Sequence, residues 1–196
     1  MRIAILASGS GTTLQAIVDA CLEHHIAGVV CLVISNNRES GALQRARLSG
    51  IPVAYLSGVT HPQAGALDTA IRDVLLEARV DVVVLAGYMK MVGPKTLHEY
   101  SGRVLNTHPA LFPKHGGQGM FGRRVHEAVI AAGDTSTGVS VHLVDGGYDS
   151  GRVIAQQSID VFPGETAEAL ESRVQALEKV LLCATLQRIA KRDLLL

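Results

Sequence analysis

Residues 81–87, Asp-Val-Val-Val-Leu-Ala-Gly, are apolar at every position between the two end residues. A strand with one solvent-facing side alternates polar and apolar side chains, whereas a strand that is covered on both faces does not. The run therefore predicts a parallel strand inside a sheet that has helices on both sides. Such a strand restricts the chain to α/β folds, because parallel neighbours are joined by helical crossovers.

The rest of the chain supplies the alternation of strands and helices that this fold requires. Apolar or alternating runs predict further strands at 3–7, 28–35, 51–56, from 104, at 137–144 and at 153–161. Helical spacing of apolar residues predicts helices at 14–22, 42–48, 67–78, 94–100, 125–132 and 169–184. We expect one α/β domain, residues 1–196, with an open, twisted, mainly parallel Rossmann-like sheet and a long C-terminal helix. Alternation at 137–144 is typical of an exposed or antiparallel strand, and Pro52 suits either the start of its strand or a sheet edge.

Composition narrows the class of protein further. Apolar residues make up 47% of the 196 residues and charged residues 18%, which argues against disorder. Lysine and arginine balance aspartate and glutamate at 18 each, and no basic stripe is present. Nucleic acid is therefore a poor candidate for a partner.

The N-terminal segment and the spacing of the cysteines indicate the cellular compartment and whether a metal is bound. The chain starts directly with a strand pattern and lacks both a secretory leader and a run of the ~18 apolar residues that span a bilayer. Cys21, Cys31 and Cys183 are far apart and show no metal-binding spacing. We expect a cytoplasmic protein with free thiols, no membrane contact and no metal.

A glycine-rich turn, Ser8-Gly9-Ser10-Gly11-Thr12-Thr13, lies between the first predicted strand and helix. Such a turn lets the backbone approach a ligand, and the free N–H groups of the helix N-terminus attract an anion. It matches neither GxGxxG nor the Walker motif. A phosphate site and a plain tight turn with a threonine cap are both consistent with this segment.

The segment Asn106-Thr107-His108-Pro109 follows a predicted strand, and Pro113 stiffens the loop beyond it. Asn106 and His108 are two residues apart, so both side chains lie on the same side of an extended strand end. In open α/β sheets, ligands bind at the carboxyl ends of the strands. The segment is a candidate site, although a strand end with two hydrogen-bonding residues and a turn fits the spacing equally well.

Asp149 lies among glycines, where a carboxylate usually serves a turn or a cap. Beside His108 it would orient the imidazole and raise its pKa. His142 is expected to be a structural residue of its strand, and His115 and His126 are ambiguous. No Ser or Cys nucleophile is supported. A site of Asn, His and Asp suits transfer between two bound substrates by positioning, oxyanion stabilisation and proton movement.

Several segments resemble the folate-dependent phosphoribosylglycinamide formyltransferase family over nearly the whole chain. The most specific are the Asn-x-His-Pro-Ala-Leu motif at 106–111, the Asp-x-Gly at 149–151 and the Ser-Gly-Ser-Gly-x-x-Leu-Gln segment at 8–15. Others are Ser35-Asn36, Arg45-Ala46, and residues 81–89, 138–142 and 153–156.

The resemblance implies the formyltransferase fold and transfer of a formyl group from 10-formyltetrahydrofolate to the amine of glycinamide ribonucleotide in de novo purine biosynthesis. These two small molecules would be the partners of a monomer or homodimer. By this resemblance, the ribonucleotide would be bound by Gly11, Thr12, Thr13 and Glu178. The folate would be bound by Met89, Lys90, Met91, Val92 and Asn106. The catalytic residues would be Asn106, His108 and Asp149. His108 would stabilise the oxyanion and donate a proton, and Asp149 would orient it. On sequence grounds alone, Glu178 reads as a solvated helix residue.

The sequence departs from the family at two sites. Thr12-Thr13 replaces a common Ser-Asn, and Ala64 replaces an arginine that many members use toward folate. Three alternatives stay open: a methionyl-tRNA formyltransferase, which needs a further C-terminal domain and a basic surface; a formyltetrahydrofolate hydrolase, which normally carries an N-terminal regulatory domain; and a catalytically silent phosphate-binding module.

Overall fold

A computed structural model describes residues 1–147 and 149–196. Within these ranges the strands are β1 (Arg2–Leu6), β2 (Val29–Ser35), β3 (Val53–Tyr55), β4 (Val82–Leu85), β5 (Val104–His108), β6 (Ser136–Leu143) and β7 (Val153–Asp160). The helices are α1 (Thr12–Leu22), α2 (Gly41–Leu48), α3 (Ala66–Glu77), α4 (Pro94–Glu99), α5 (Arg123–Ala131) and α6 (Ala167–Ala190).

The strands form one sheet in the order β3-β2-β1-β4-β5-β6-β7. The pairings from β3 to β5 are parallel, and the β5–β6 and β6–β7 pairings are antiparallel. The mainly parallel sheet is therefore confirmed. All four residues of β4 are buried, as the apolar run at 81–87 predicts. Strand order reverses between β1 and β4, and a reversal of this kind opens a crevice at the carboxyl ends of the strands.

The core has two layers, one on each face of the sheet. Ile3 and Ile5 of β1 join the cluster that includes residues of α1, α2 and α6, whereas Ala4 and Leu6 join the cluster beneath α3. This division follows from the two-residue period of a strand. Burial on both faces explains why β1, β2 and β4 read as continuous apolar runs.

Of the two alternatives predicted for the run at 137–144, an exposed or an antiparallel strand, β6 has the second. It is antiparallel, but it is buried from Thr137 to His142 rather than exposed. Helix α6 packs on β6. The segment after β5 covers its other side, where the Phe112 N–H donates to Ser140 Oγ at 3.1 Å.

Element boundaries shift by a few residues. β3 begins at Val53, because Pro52 has no N–H for the ladder, and it lies at the sheet edge, one of the two positions that Pro52 suits. α6 begins earlier than the apolar spacing suggests, since Thr166 caps it by accepting the Ala169 N–H at 3.2 Å. Cys21, Cys31 and Cys183 are free thiols, as expected.

Candidate active site

The glycine-rich turn connects β1 to α1 at the carboxyl edge of the sheet. Gly11 is the N-cap residue and has a φ of 75°. A Cβ at this position would lie 2.6 Å from Cα of Ala42, so the position requires glycine on two counts. Among the described residues, no side chain caps the helix, so of the two alternatives for this turn the threonine cap is not the one the structure has. Thr12 is exposed and Thr13 half-buried, and the first turn of α1 is open to an anion.

A hydrogen-bonded bridge connects this turn to the segment that follows β4. The Met89 N–H donates to Ser8 Oγ at 2.8 Å, and the Ser8 hydroxyl donates to Asn36 Oδ1. The Ser8 N–H also donates to the Gly87 carbonyl at 3.0 Å. The side chains of Ser8 and Asn36 and the backbone after β4 thus hold the two segments in one arrangement.

Asn106 and His142 face each other across the β5–β6 pairing. They are register partners, and Nδ2 of Asn106 lies 3.1 Å from Nε2 of His142. Nδ1 of His142 donates to the Leu143 carbonyl at 2.9 Å, so a neutral ring leaves Nε2 to accept from the amide. Burial lowers the pKa of His142 and favours this neutral form. The second hydrogen of the Asn106 amide remains available to a ligand.

His108 is buried and uses both ring nitrogens. Nε2 donates to the carbonyl oxygen of His115 at 2.7 Å, and Nδ1 lies 3.4 Å from Oδ2 of Asp149. The ring of Phe112 stacks on the imidazole with centroids 4.8 Å apart. Asp149 also lies 3.7 Å from Nε2 of His142, so one carboxylate faces two imidazoles.

The pKa of His108 is lowered rather than raised. Burial disfavours the charged ring most strongly, Asp149 and the His115 carbonyl act in the opposite direction, and the net direction is downward. Asp149 acts to raise this pKa, as expected, but burial outweighs its contribution. Asp149 does lie beside His108, as the sequence argument required.

Thr107 points to the other face of the sheet, as alternation requires. Its hydroxyl donates to Oε1 of Glu178 on α6 at 2.8 Å. Burial raises the pKa of Glu178. Glu178 is thus a partly buried, hydrogen-bonded residue and not a solvated one.

A cleft of about 820 Å³ lies near the end of β6, and Asn106 is not among the residues that line it. Its walls come from the segment after β4, from α4 and from the loop after β6, with Leu143 next to His142. Of the residues assigned to a folate pocket, Met91 and Val92 line this cleft, whereas Met89 and Lys90 are exposed outside its lining.

Sequence reasoning missed three contributors to the site: His142, Phe112 and the His115 carbonyl. His142 shares the alternation of Ser140, but only the β5–β6 register places it opposite Asn106. The other two depend on the path of the loop at 109–122, which no periodic pattern encodes. His126 is buried on α5, and its Nδ1 has no hydrogen-bond partner among the described residues.

Residues 1–147 and 149–196 contain no group of three or more His, Cys, Asp or Glu side chains arranged to hold a metal. Independence from metal stays a prediction. None of the helices described is long and apolar enough to cross a membrane.

Comparison with known proteins identifies the family. The formyl transferase family model matches residues 1–186, and the chain belongs to that family. It is 38% identical over 177 residues to phosphoribosylglycinamide formyltransferase of Haemophilus influenzae, covering 90% of this chain and 81% of that protein. It is 36% identical over 174 residues to the chloroplastic phosphoribosylglycinamide formyltransferase of Arabidopsis thaliana, which is 88% of this chain but only 60% of that protein.

A solved structure gives the same result. Glycinamide ribonucleotide transformylase 1 from Symbiobacterium toebii superposes with a TM-score of 0.92 at 35% identity, covering all of this chain and 90% of that one. The seven-stranded sheet and the C-terminal helix are therefore those of the formyltransferase fold.

The raised pKa of Glu178 predicts a pH-dependent stability difference. Between the ordinary glutamate pKa and the higher folded value, the folded state binds more protons than the unfolded state, so stability falls as pH rises. Glu178→Gln keeps an oxygen for Thr107 but does not titrate. We expect the free energy of unfolding of Glu178→Gln, relative to wild type, to rise as pH increases above the ordinary glutamate pKa. Urea denaturation measures it, and a difference that is constant with pH would contradict the assignment.

Proposed function

We propose that this chain transfers a formyl group from 10-formyltetrahydrofolate to the amine of glycinamide ribonucleotide in de novo purine biosynthesis. The observation that carries the proposal is one cluster of contacts: Asp149 lies beside both His108 and His142, and His142 contacts the Asn106 amide. The relatives named above carry this activity in their names. We propose further that residues 1–196 act as a single formyltransferase domain in the cytoplasm.

The ribonucleotide phosphate is assigned to the turn at Gly11, Thr12 and Thr13. Two features support this assignment: the helix dipole and the open N–H groups of the first turn of α1. Glu178 is assigned to the same substrate. It reaches the site from the far side of β5 through Thr107 and would then exchange or share that hydrogen bond.

The folate is assigned to the cleft near the end of β6. Met91 and Val92 supply apolar wall, and the neighbouring loop supplies backbone polar groups. Met89 and Lys90 are exposed and directly precede Met91 in the chain, so we assign them to the exposed part of a folate. Ala64 supplies no cation to the exposed part of the folate, so any positive charge there must come from another residue.

Asn106 is assigned to the formyl oxygen. One amide hydrogen is held by His142 at 3.1 Å, which orients the group and leaves the other for an oxygen that becomes negative. A fixed donor stabilises this charge without reorganising during the reaction.

His108 and Asp149 are assigned to proton movement. Transfer forms a bond between the amine nitrogen and the formyl carbon, breaks the bond to the folate nitrogen, and moves one proton from the first nitrogen to the second. In the free protein His108 is held neutral by burial, so Nδ1 can take up a proton. Asp149, 3.4 Å away, then stabilises the imidazolium, which can return the proton to the departing nitrogen.

The alternatives make different use of the same groups. A hydrolase would need no ribonucleotide, and a silent phosphate-binding module would have no use for the Asn106–His108–Asp149 arrangement. A methionyl-tRNA formyltransferase would need a basic surface, whereas positive and negative side chains balance at 18 each.

An absorbance assay with 10-formyl-5,8-dideazafolate, with and without glycinamide ribonucleotide, tests the proposal. We expect deformylation only when the ribonucleotide is present. Deformylation without it would favour the hydrolase. Binding of the ribonucleotide with no turnover would favour the silent module.

Replacing His108 by Ala tests the catalytic assignment. We expect turnover to fall by about 100-fold or more, the scale for loss of a proton-transfer group, while the dissociation constant of the ribonucleotide changes little. Steady-state kinetics and calorimetry measure the two quantities. His25→Ala, which removes an exposed histidine, is the control. Wild-type turnover in His108→Ala would remove His108 from the mechanism.

Thr12→Asp separates anion binding from folding. A carboxylate at the first position of α1 repels a bound phosphate but interacts favourably with the helix dipole, so stability should not fall. We expect the KM for the ribonucleotide to rise roughly 10- to 100-fold and the KM for folate to change little. Thr12→Asn is the neutral control of the same size. An equal rise in both KM values would place the phosphate elsewhere.

A further inference from the structure

Asp134, in the turn between α5 and β6, holds the loop that passes over His108. Its Oδ2 accepts from Nε2 of His115 at 2.7 Å, and its Oδ1 accepts from Nζ of Lys114 at 2.9 Å. The side chains of His115 and Asp134 are each 16% exposed, whereas that of Lys114 is 70% exposed. The histidine contact is therefore the more enclosed of the two.

His115 has an unusual backbone conformation. Its φ is 53°, in the left-handed region that a residue with a Cβ seldom adopts. Such a conformation persists where surrounding contacts over-determine it. The contact with Asp134 provides this constraint by fixing the side chain of the same residue.

The consequence is the direction of the His115 carbonyl. This oxygen accepts the Nε2 hydrogen of His108 at 2.7 Å. It fixes the proton on Nε2 and leaves Nδ1, beside Asp149, as the nitrogen that gains or loses a proton. A continuous series of contacts thus runs from Asp134 through His115 to His108.

We propose that Asp134 is a positioning residue, which keeps the carbonyl of His115 on Nε2 of His108 and so sets the tautomer and protonation of that imidazole. Asp134 does not touch the reacting atoms. Its role is distinct from those of Asn106 and Asp149. This inference rests on the proposed function only for the kinetic test, in which turnover is measured.

The charged and titratable groups around His108 come from several elements. Asp149, in the loop after β6, favours the imidazolium, whereas His142 of β6 and His115 of the covering loop disfavour it. His126 of α5 is also close enough to interact electrostatically. The hydrogen bond to the His115 carbonyl raises the pKa of His108, so losing that bond should lower this pKa.

NMR titration of the histidine ring nitrogens in the full chain tests the proposal without requiring activity. His108→Asn assigns the His108 signal. We expect Asp134→Ala to lower the pKa of His108 and to mix its tautomers. Asp134→Asn should restore both, because the Asn Oδ1 still accepts from His115. An Asp134→Ala spectrum in which the His108 titration matches wild type would overturn the proposal.

Two comparisons exclude a simple charge effect. Asp134→Asn also removes the negative charge, so a pKa shift equal to that of Asp134→Ala would attribute the effect to charge and overturn the positioning role. Lys114→Met removes the other partner of Asp134 and is expected to leave the His108 titration unchanged; a shift as large as that of Asp134→Ala would also contradict the proposal.

If Asp134→Ala fails to fold, His115→Asn carries the test, since Asn tolerates the left-handed region and lacks the ring donor.

The kinetic counterpart is a change in the pH profile. In Asp134→Ala, kcat should fall by about 10-fold, the scale for losing a group that orients an active-site side chain, and the limb assigned to His108 should move to lower pH. KM values should change little. A lower melting temperature with an unmoved limb would show a purely structural role. A wild-type chain inactive in formyl transfer would refute the proposed function and leave the NMR result standing.

Discussion

The antiparallel pairing of β5 with β6 is the contact on which the site depends. It pairs Asn106 with His142 and His108 with Ser140. In a parallel continuation of the sheet, the carboxyl end of β5 would have another carboxyl end beside it. Here it lies against the interior of β6 instead, so polar side chains from a strand end meet polar side chains from within a buried strand. Each of these groups needs a partner, because unpaired buried polar groups are costly.

Burial decides the electrostatics of this cluster. Asp149 faces both His108 and His142 at 3.4 and 3.7 Å, yet the pKa of each histidine is lowered because burial outweighs the carboxylate. Phe112, stacked on His108, contributes to that burial. The result is two neutral imidazoles: His142 contacts the Asn106 amide, and under the proposed function His108 would take up a proton and Asp149 would stabilise the imidazolium. A site of this kind is set up for the charge that develops during a reaction.

Much of the fold was predictable from sequence, because the spacing of apolar residues reflects which faces of each strand and helix are buried. The uninterrupted apolar run of β4 and the glycine-rich turn before α1 indicated a parallel sheet with a ligand edge, and Pro52 was consistent with the edge position of β3. Asn106 and His108 were predictable for the same reason, since their spacing places them on one side of a strand. The placement of Met91 and Val92 at a cleft agrees with the resemblance, whereas Met89 and Lys90 lie outside the cleft lining.

The remainder depends on contacts between distant segments. His142 was expected to be only structural, because alternation shows which face a residue occupies but not which residue lies opposite. The sign of the His108 pKa shift depends on how deeply the ring is buried, which no local pattern gives. The alternative of a threonine cap is excluded because Gly11 takes the cap position, where the backbone of Ala42 approaches closely.

A crystal structure with glycinamide ribonucleotide and a folate analogue that cannot transfer its formyl group would test the central claim most directly. The account predicts the phosphate on the amides of Gly11 to Thr13, the folate against Met91 and Val92, and the amine beside Asn106 and His108. A phosphate bound away from the α1 N-terminus, or an amine out of reach of both side chains, would contradict it.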